Sequence, residues 1–420
     1  MDKVYREKKQ CYGCSACANI CPVSAIRMEY DEEGFSYPVI DPQKCIDCKM
    51  CVKICPFHQT LDEDALKSDY QQRYFATQHK DQEIVARSSS GGMFTALSDC
   101  ILAHNGVVYG AAFDAAFVVG HQRAEDKTGT GAFRGSKYIQ SDIKNIYFLI
   151  LEDISQGRQV LFTGTPCQVA GVRSFVMQKK HSLDNLILCD FICHGVASPR
   201  VWTSYIDYFK QKYDGGLSYY EFRGKTHGWH EREPILRINN NDISNLYNKK
   251  NSFLLLYQTC FADRPCCYSC KYTSYNRYSD MTLADFWNIG SVCPEMDDDT
   301  GTSQVLVNTQ IGQKWFDLCL DEIKYHECSK KDVWQPHLEY PTNVSSSKRE
   351  KFWAAYHTLP FETVLKQYGQ GDIITKCKNF AIPIAKKLGF YVLAGKLYRY
   401  IFIRKESNEH DEATSSNTKN

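Results

Sequence analysis

Residues 11–22 read CYGCSACANICP, and residues 45–56 repeat the same spacing as CIDCKMCVKICP. In each copy three cysteines are separated by two residues, a fourth follows after a three-residue gap, and proline comes next. Three thiolates at this spacing can wrap a turning loop around one iron-sulfur cluster, whereas the fourth reaches the other cluster of a pair. The repeat therefore predicts two [4Fe-4S] clusters with crossed ligands: Cys11, Cys14, Cys17 and Cys55 for one, and Cys45, Cys48, Cys51 and Cys21 for the other.

The paired motif favours iron over zinc, because a zinc site uses two separated cysteine pairs and would leave several of these thiols unused. Residues 1–60 resemble a bacterial-type two-cluster ferredoxin, and we interpret the polar, acidic residues 61–72 as a linker. A cluster pair moves single electrons and makes no bonds. The rest of the chain must therefore supply a two-electron site, a substrate site or a docking surface.

The composition is that of a globular protein, with 43% hydrophobic and 24% charged residues among 420. Fifty Lys and Arg balance 49 Asp and Glu, so we expect no nucleic-acid partner. The charged start of the chain lacks the apolar core of a secretion signal, and 20 cysteines then indicate a reducing, cytoplasmic protein. We interpret residues 380–403 as a basic helix packed on its own domain, with peripheral membrane contact as the alternative.

Residues 73–345 alternate short β-rich runs with helical segments, a pattern typical of an α/β domain. Three such runs begin at Gly106, Gln159 and Leu186. We predict a helical segment over residues 346–404, with apolar faces from Phe352, Trp353, Leu359, Val364 and Leu365, and a disordered tail over residues 405–420. The predicted fold class is α+β or α/β: a small ferredoxin domain, a larger mixed α/β domain and C-terminal helices.

A Ser/Gly loop over residues 88–92 leads into a helix with apolar residues at 93, 94, 97, 101 and 102. Exposed N–H groups at a helix start can bind a phosphate, but the same loop can simply cap the helix. Residues 129–135 have glycines in a dinucleotide-like spacing. Since Arg134 takes the third glycine position and no clear strand precedes, we do not expect a Rossmann site there.

Four further cysteines lie in the large domain. Thr165 and Pro166 predict the start of a helix with Cys167 in its first turn, where the helix dipole favours a thiolate. Cys193 follows a buried strand, and Cys267 and Cys270 lie in an aromatic, basic loop. These four thiols either hold a third cluster or are ordinary small residues and a stray pair; the spacing leaves both open.

Six motifs together resemble the beta subunit family of coenzyme F-420 (8-hydroxy-5-deazaflavin) hydrogenases and formate dehydrogenases, over roughly residues 1–350. They are Ser88-Ser-Ser-Gly-Gly, Lys137-Tyr-Ile-Gln-Ser, Val160-Leu-Phe-Thr-Gly-Thr-Pro-Cys-Gln, Cys193-His-Gly-Val-Ala-Ser-Pro, Phe222-Arg-Gly-Lys-Thr-His-Gly-Trp and Asp280-Met-Thr-Leu-Ala-Asp-Phe-Trp. One departure is Asn288 after the last motif, where the family often has glycine.

The resemblance implies an iron-sulfur flavoprotein oxidoreductase that binds FAD, in a family that includes proteins tied to surface polysaccharide synthesis. Carried over by motif, it implies these flavin-site residues: Ser88, Ser89, Ser90, Gly91, Gly92, Lys137, Gln140, Ser141, Thr163, Thr165 and Gln168. It also supports a third cluster on Cys167, Cys193, Cys267 and Cys270, with Cys260, Cys266 and Cys293 as substitute ligands. Nothing in the sequence specifies a deazaflavin site.

Two hypotheses follow. In the first, the clusters exchange electrons with a bound flavin that reduces or oxidises a small molecule, and His194, His230, Lys225, Arg223 and Asp285 are polar candidates near the flavin. No catalytic residue is assigned. In the second, the chain is an electron relay that docks to a partner redox protein through the basic aromatic run 271–278 and the C-terminal helices.

Overall fold

A computed structural model describes residues 4–59, 70–231, 233–244 and 252–370. Its strands are β1 (Ile26–Tyr30), β2 (Ser36–Ile40), β3 (Arg73–His79), β4 (Gly106–Phe113), β5 (Val119–Ala124), β6 (Gln159–Thr163), β7 (Leu186–Phe191), β8 (Leu217–Gly224), β9 (Glu233–Ile238), β10 (Asn241–Asp242), β11 (Met281–Asp285), β12 (Ser303–Val307) and β13 (Ile323–Cys328).

The α-helices are α1 (Ala16–Ile20), α2 (Met50–Lys53), α3 (Gln82–Ala86), α4 (Met93–Ala103), α5 (Lys127–Gly131), α6 (Ile146–Ser155), α7 (Pro166–Gln178), α8 (Pro199–Lys212), α9 (Phe253–Gln258), α10 (Ile289–Val292), α11 (Gln310–Asp317), α12 (Ser346–Thr358) and α13 (Phe361–Tyr368). Short 3-10 helices cover Lys8–Gln10, Pro265–Ser269, Pro294–Met296 and Pro336–Leu338.

The central element is a mixed sheet of eight strands in the order β13-β3-β12-β11-β7-β6-β4-β5. Strands β4, β6, β7 and β11 run parallel to one another, and antiparallel strands flank them on both sides. The runs beginning at Gly106, Gln159 and Leu186 form β4, β6 and β7 as predicted. The mixed α/β fold expected from the sequence is confirmed.

Both faces of this sheet are covered, because alternate residues of each strand point to opposite sides. On one face, Val108, Leu161 and Ile187 pack with helices α4 and α11. On the other face, Val160 and Phe162 pack with helices α6 and α7. The same second cluster includes Cys14, Ala16, Ile20 and Ile54 of the N-terminal repeats, so the N-terminal segment packs against α6 and α7.

The C-terminal helices pack on a smaller sheet of three strands, in the order β10-β9-β8, together with α8 and α9. Phe352, Trp353, Val364 and Leu365 are buried in this cluster as the sequence predicted. Leu359 is 41% exposed, which corrects that part of the expectation, because it lies in the bend between α12 and α13. No helix within the described ranges is long and apolar enough to cross a membrane.

The glycines at residues 129–131 lie in α5, and strand β5 precedes this helix. The expectation that no strand comes before them was wrong. Strand β5 is, however, an antiparallel edge strand, and Asp126 caps α5 by accepting the Gly129 N–H at 2.7 Å. The chain therefore has no parallel-strand crossover at this position. Residues 61–69 of the predicted linker, residues 371–404 of the predicted helical segment and the predicted tail lie outside the described residues.

Candidate iron-sulfur and flavin sites

The two cysteine repeats adopt the same backbone conformation. In the first, Gly13 and Ser15 have positive φ angles of 67° and 62°; in the second, Asp47 and Lys49 have 52° and 59° at the equivalent positions. Residues in the left-handed conformation at alternate positions make the loop turn, and a short helix follows each of the two loops. The repeat therefore folds twice into a loop whose three thiols can converge on one point.

The fourth cysteine of each repeat lies with the other repeat. One cavity is lined by Cys11, Cys14, Cys17 and Cys55, and a second by Cys21, Cys45, Cys48 and Cys51. These are the crossed groupings that the spacing predicted. We call them the first and second thiol groups. Cys14 and Cys17 of the first group are buried, whereas Cys48 of the second is exposed.

Burial dominates the electrostatics of the first group. Desolvation raises the pKa of Cys14, Cys17 and Cys55, and neighbouring thiols raise it further for each of them. Free thiols in this environment hold their protons, whereas iron stabilises the thiolate form and displaces the protons. The group is thus suited to a metal centre and unsuited to nucleophilic chemistry.

A third thiol group forms at the carboxyl edge of the parallel strands. Cys167 follows β6 in the first turn of α7, and Cys193 follows the adjacent parallel strand β7. The 3-10 helix over Pro265–Ser269 brings Cys267 and Cys270 to the same place, where each of Cys167 and Cys193 interacts electrostatically with both. The structure thus brings together the four cysteines suggested for a third cluster.

The thiols of the third group are strongly desolvated. Burial raises the pKa of Cys167 to about 12 and that of Cys270 to about 11. The sequence led us to expect a lowered pKa for Cys167 at a helix start. The Thr165 hydroxyl, 3.1 Å from the sulfur, does favour the thiolate, but burial outweighs it.

Of the three cysteines considered as substitute ligands, two lie near the third thiol group and one does not. Cys266 is buried in the same apolar cluster as Cys167, Cys267 and Cys270. Cys260 lies near Cys267 and Asp263. Cys293 lies elsewhere, in a cluster with Trp229 and Phe286, and is not brought to the third group.

Arg264 joins the N-terminal segment to the large domain. Its side chain is fully buried; Nε donates to the Cys11 carbonyl at 2.7 Å and Nη1 to the Gln140 side chain at 2.8 Å. Nη2 donates to the Ser36 carbonyl at 2.9 Å and contacts the Cys11 sulfur at 3.5 Å. Sequence reasoning missed this role, because none of these partners is near Arg264 along the chain.

The basic aromatic run 271–278 faces the N-terminal segment. Tyr272 is buried and stacks edge-on against Tyr12 at 5.4 Å, and Lys271 donates to the Gln59 carbonyl. Arg277 is buried against Asp190 at 3.5 Å. The hypothesis that this run is a docking surface for a partner therefore gives way to the alternative of internal packing.

The Ser/Gly loop over residues 88–92 lies beside the ends of β3 and β12. The Gly91 N–H donates to the Ser303 hydroxyl at 2.9 Å, and a Cβ on Gly91 would lie 2.4 Å from the Thr77 carbonyl oxygen. Ser88 and Ser90 donate to the carbonyls of Ile84 and Thr302. These hydrogen-bonding groups are satisfied within the chain, but none of them caps α4, whose N-cap Gly92 has no side-chain cap hydrogen bond.

A group of charged side chains lies beside this loop, and we call it the charged cluster: Arg223, Lys225, Lys137, Glu221 and Asp285. Lys225 donates to the Ser90 carbonyl at 2.8 Å, and Glu221 interacts electrostatically with both Lys225 and Lys137. Burial lowers the pKa of Lys137 to about 7 and that of Lys225 to about 8. The carboxylate of Asp285, at the end of β11, pairs with the buried Arg223 at 2.5 Å.

The charged cluster contains polar atoms that are not fully used. Nε and Nη2 of Arg223 and Oδ1 of Asp285 are buried and make no hydrogen bond within normal geometric limits to a described residue, although the Tyr138 hydroxyl interacts with the Arg223 guanidinium. The Arg223 guanidinium also lies 5.0 Å from the Trp287 ring, which stacks on Trp229 at 4.8 Å. Buried polar atoms without partners are costly, so the donors of Arg223 could bind an acceptor that is not part of this chain, whereas the free oxygen of Asp285 would bind a donor.

The remaining residues implied for the flavin site are held by hydrogen bonds within the protein. Gln168 donates to Ser141 at 3.0 Å and accepts the Thr165 N–H at 3.0 Å, which fixes the start of α7. Thr163 donates to the Tyr109 carbonyl at 3.0 Å, and Gln140 donates to the Tyr12 carbonyl at 3.1 Å. Their described hydrogen bonds are internal to the protein. His194 and His230 are also apart from one another, packing with His337 and pairing with Asp297 respectively.

The comparisons with known proteins agree with the motifs. Residues 157–332 match the family model that describes the C terminus of the coenzyme F420 hydrogenase/dehydrogenase beta subunit. Residues 10–58 match a 4Fe-4S dicluster domain, and a second model of that description matches residues 37–89. No curated protein matches the chain.

Among solved structures, the chain is similar to one in the F420-reducing [NiFe] hydrogenase complex from Methanosarcina barkeri, studied by xenon derivatization. The identity is 16% and the TM-score 0.41, covering 71% of this chain and 89% of that chain. The family resemblance rests on the sequence models. Residues 157–332 thus resemble the C-terminal part of coenzyme F420 hydrogenase/dehydrogenase beta subunits, and in this chain a segment similar to a 4Fe-4S dicluster domain precedes them.

Proposed function

We propose that the chain is an iron-sulfur flavoprotein oxidoreductase that passes electrons between [4Fe-4S] clusters, FAD and a small-molecule or protein redox partner. The observation that carries the proposal is the placement of the thiol groups. The first group lies beside the third: Cys14 interacts electrostatically with Cys55 and Cys167, and Tyr12 packs with Cys167 and Cys270.

The proposed electron route therefore runs through the protein interior. The second group, which includes the exposed Cys48, is the entry or exit point, and the first group lies against the large domain. A cluster on Cys167, Cys193, Cys267 and Cys270 would continue the series to the carboxyl edge of the sheet. Asp285, in the charged cluster, ends β11 at that same edge.

The charged cluster fits the phosphates of FAD better than the Ser/Gly loop does. The loop uses its own donors, and the amines of Lys137 and Lys225 also donate to backbone carbonyls, but Nε and Nη2 of Arg223 are buried donors that remain for a ligand. Burial lowers the pKa of both lysines, and a bound anion would hold their amines in the charged form. A bound flavin exchanges single electrons with clusters and electron pairs with a substrate. In this proposal Arg223, Lys137 and Lys225 bind and orient the diphosphate.

The relay hypothesis remains the second candidate, because the donors of Ser88, Ser90 and Gly91 are satisfied internally. In that case the chain would carry clusters without a flavin and deliver electrons to a partner enzyme. The substrate we propose for the oxidoreductase is a small redox-active molecule. A place in surface polysaccharide synthesis is the pathway that the family resemblance suggests.

Anaerobic purification with iron and flavin analysis tests the proposal. We expect about twelve iron atoms per chain for three clusters, against about eight for the N-terminal pair alone. Denaturation should release about one FAD per chain. Cys267→Ser should remove about four iron atoms, whereas Cys100→Ser, a thiol remote from all three groups, should remove none.

Arg223→Lys is the matched test of the flavin site. It keeps a positive charge beside Asp285 but removes N–H groups without a partner, so we expect FAD affinity to fall about tenfold or more at constant iron content. Arg123→Lys alters another Arg–Asp pair, with Asp153, and should leave FAD unchanged. A protein with full iron that takes up no FAD from excess would refute the oxidoreductase proposal and support the relay.

A further inference from the structure

A second kind of metal-binding group lies away from the three thiol groups. One ligand atom each from Cys293, Glu295 and His326 lies within 4.8 Å of the other two. The thiol of Cys293 is hydrogen-bonded to the Glu295 carboxylate, and Cys293 is buried while the other two residues are exposed. A thiol, an imidazole and a carboxylate thus converge on one point that solvent can reach.

Two separate elements supply these side chains. Cys293 is the C-cap of α10 and precedes the 3-10 helix Pro294–Met296, which carries Glu295. His326 lies on β13, the edge strand of the large sheet. Cys328 is two residues further along β13, on the same face of the strand as His326, and it packs in the same apolar cluster as Cys293.

We propose that Cys293, Glu295 and His326 bind a zinc ion, with Cys328 as the fourth ligand. The Cys328 sulfur is not among the atoms within 4.8 Å of one another, but it interacts electrostatically with Cys293, and it would turn from the His326 carbonyl, 3.5 Å away, to reach the ion. Zinc binds thiolate, imidazole and carboxylate together, in a tetrahedron with bonds of about 2.0–2.3 Å, so its ligand atoms stand about 3.3–3.8 Å apart. The three atoms are already within 4.8 Å, and the exposed side chains of Glu295 and His326 can rotate to close the difference. Two thiols cannot hold a [4Fe-4S] cluster, and calcium and magnesium prefer oxygen ligands.

The expected role is structural, because four protein ligands leave no open coordination position. The ion would tie the segment after β11 to the edge strand β13. That segment contributes Phe286, Ile289 and Met296 to the apolar cluster that also holds Trp229. Zinc would therefore fix the side of the large domain that carries the Trp229–Trp287 stack.

The test uses the full-length, anaerobically purified protein with its full iron content. After incubation with an equivalent of Zn²⁺ and passage over a chelating resin, we expect about one zinc per chain. X-ray absorption at the zinc edge should show two sulfur neighbours at about 2.3 Å and two nitrogen or oxygen neighbours at about 2.0 Å. The iron clusters do not obscure this measurement.

His326→Ala should lower zinc affinity about tenfold or more, and Cys328→Ser should reduce the sulfur neighbours to one. The controls His181→Ala and Cys100→Ser should retain zinc unchanged. Iron content reports folding, because the cluster cysteines lie elsewhere. The proposal fails if no zinc is retained, if zinc has four sulfur neighbours, or if Cys293→Ser and His326→Ala leave the zinc content unchanged; the last two results would indicate zinc in vacant cluster sites.

Discussion

At the scale of single residues, Arg264 illustrates a charge whose partners come from distant parts of the chain. Its three nitrogens donate to the Cys11 and Ser36 carbonyls and the Gln140 side chain, and its guanidinium lies 4.3 Å from the Tyr37 ring. Burial opposes its charge, but nearby Cys11 and Tyr37 raise its pKa, so it stays charged. The residue therefore holds the first thiol group against the large domain.

Arg264→Met should lower the free energy of unfolding by about 3 kcal/mol, because it leaves buried carbonyl acceptors unsatisfied. We expect a melting temperature lower by about 5 °C or more and loss of iron from the first thiol group. Arg200→Met is the control: this exposed arginine donates to the Glu32 carbonyl at 2.8 Å in the same interface, and its loss should cost less than about 1 kcal/mol. Equal melting temperatures for the two variants would refute the role of Arg264.

Lys137 allows a pH test of anion binding at the charged cluster. With a pKa of about 7 it is mostly neutral at pH 8, and an anion bound beside it would raise that pKa. FAD binding to flavin-free protein should therefore take up about one proton through Lys137 at pH 8 and much less at pH 6, where the amine is already charged.

The proton uptake is measured as the dependence of binding enthalpy on the ionisation enthalpy of the buffer. Lys137→Arg keeps a permanent charge and should remove about one proton from the uptake at pH 8. Lys127→Arg, on an exposed side chain, is the control. A binding enthalpy that does not depend on the buffer at pH 8 would contradict a phosphate at Lys137.

At the scale of elements, the two repeats permit a test of crossed ligation. Cys21→Ser should damage the cluster of Cys45, Cys48 and Cys51, with loss of about four iron atoms, and Cys55→Ser should damage the other cluster. The second thiol group includes the exposed Cys48, whereas Cys14 and Cys17 of the first group are buried. An iron chelator should therefore remove iron from the second cluster faster. We expect the fast phase to disappear in Cys21→Ser and the slow phase to change in Cys55→Ser. The reverse assignment would show that each repeat ligates its own cluster.

Local patterns account for what could be predicted from the sequence. The cysteine spacing defines the loops, and Thr165 with Pro166 sets the start of α7, so Cys167 was placed correctly. The third thiol group could not be predicted from local spacing, because Cys267 and Cys270 come close to Cys167 only through the long crossover between β7 and β11. Spacing alone could not choose between a cluster and a stray pair.

Tertiary contacts explain the expectations that failed. The Ser/Gly loop has the composition of a phosphate cradle, but Ser303 and Thr77, which occupy its donors and its free space, are on other strands. The pKa of Cys167 is likewise raised by burial that follows from the packing of the whole domain. Arg223 was already a candidate from its motif. Whether its N–H groups have hydrogen-bond partners depends on residues that are distant in the sequence, so the motif could not show it.

At the scale of the whole molecule, the N-terminal segment and the large domain form one unit over Met1–Gly369. The Tyr147 hydroxyl donates to the Cys14 carbonyl at 2.5 Å, and Arg349 pairs with Glu33 at 2.5 Å. Gly13 is packed so closely that a Cβ would lie 2.6 Å from Nη1 of Arg264. A fragment starting near Arg73 would expose this surface and leave Arg264 without partners, so it is a poor test of the third cluster.

The same interface predicts that the chain stays assembled after it is cut. A protease site inserted within residues 60–69, which are outside the described ranges, would separate the N-terminal segment covalently. We expect both fragments to elute together from a sizing column even in about 0.5 M salt, where the Debye length is only about 4–5 Å, because the buried hydrogen bonds are not screened. The combination of Arg264→Met with Tyr147→Phe should release the N-terminal fragment. If the cut protein without these substitutions separates at low salt, the interface is too weak to hold the first and third thiol groups together, and the proposed internal electron route fails.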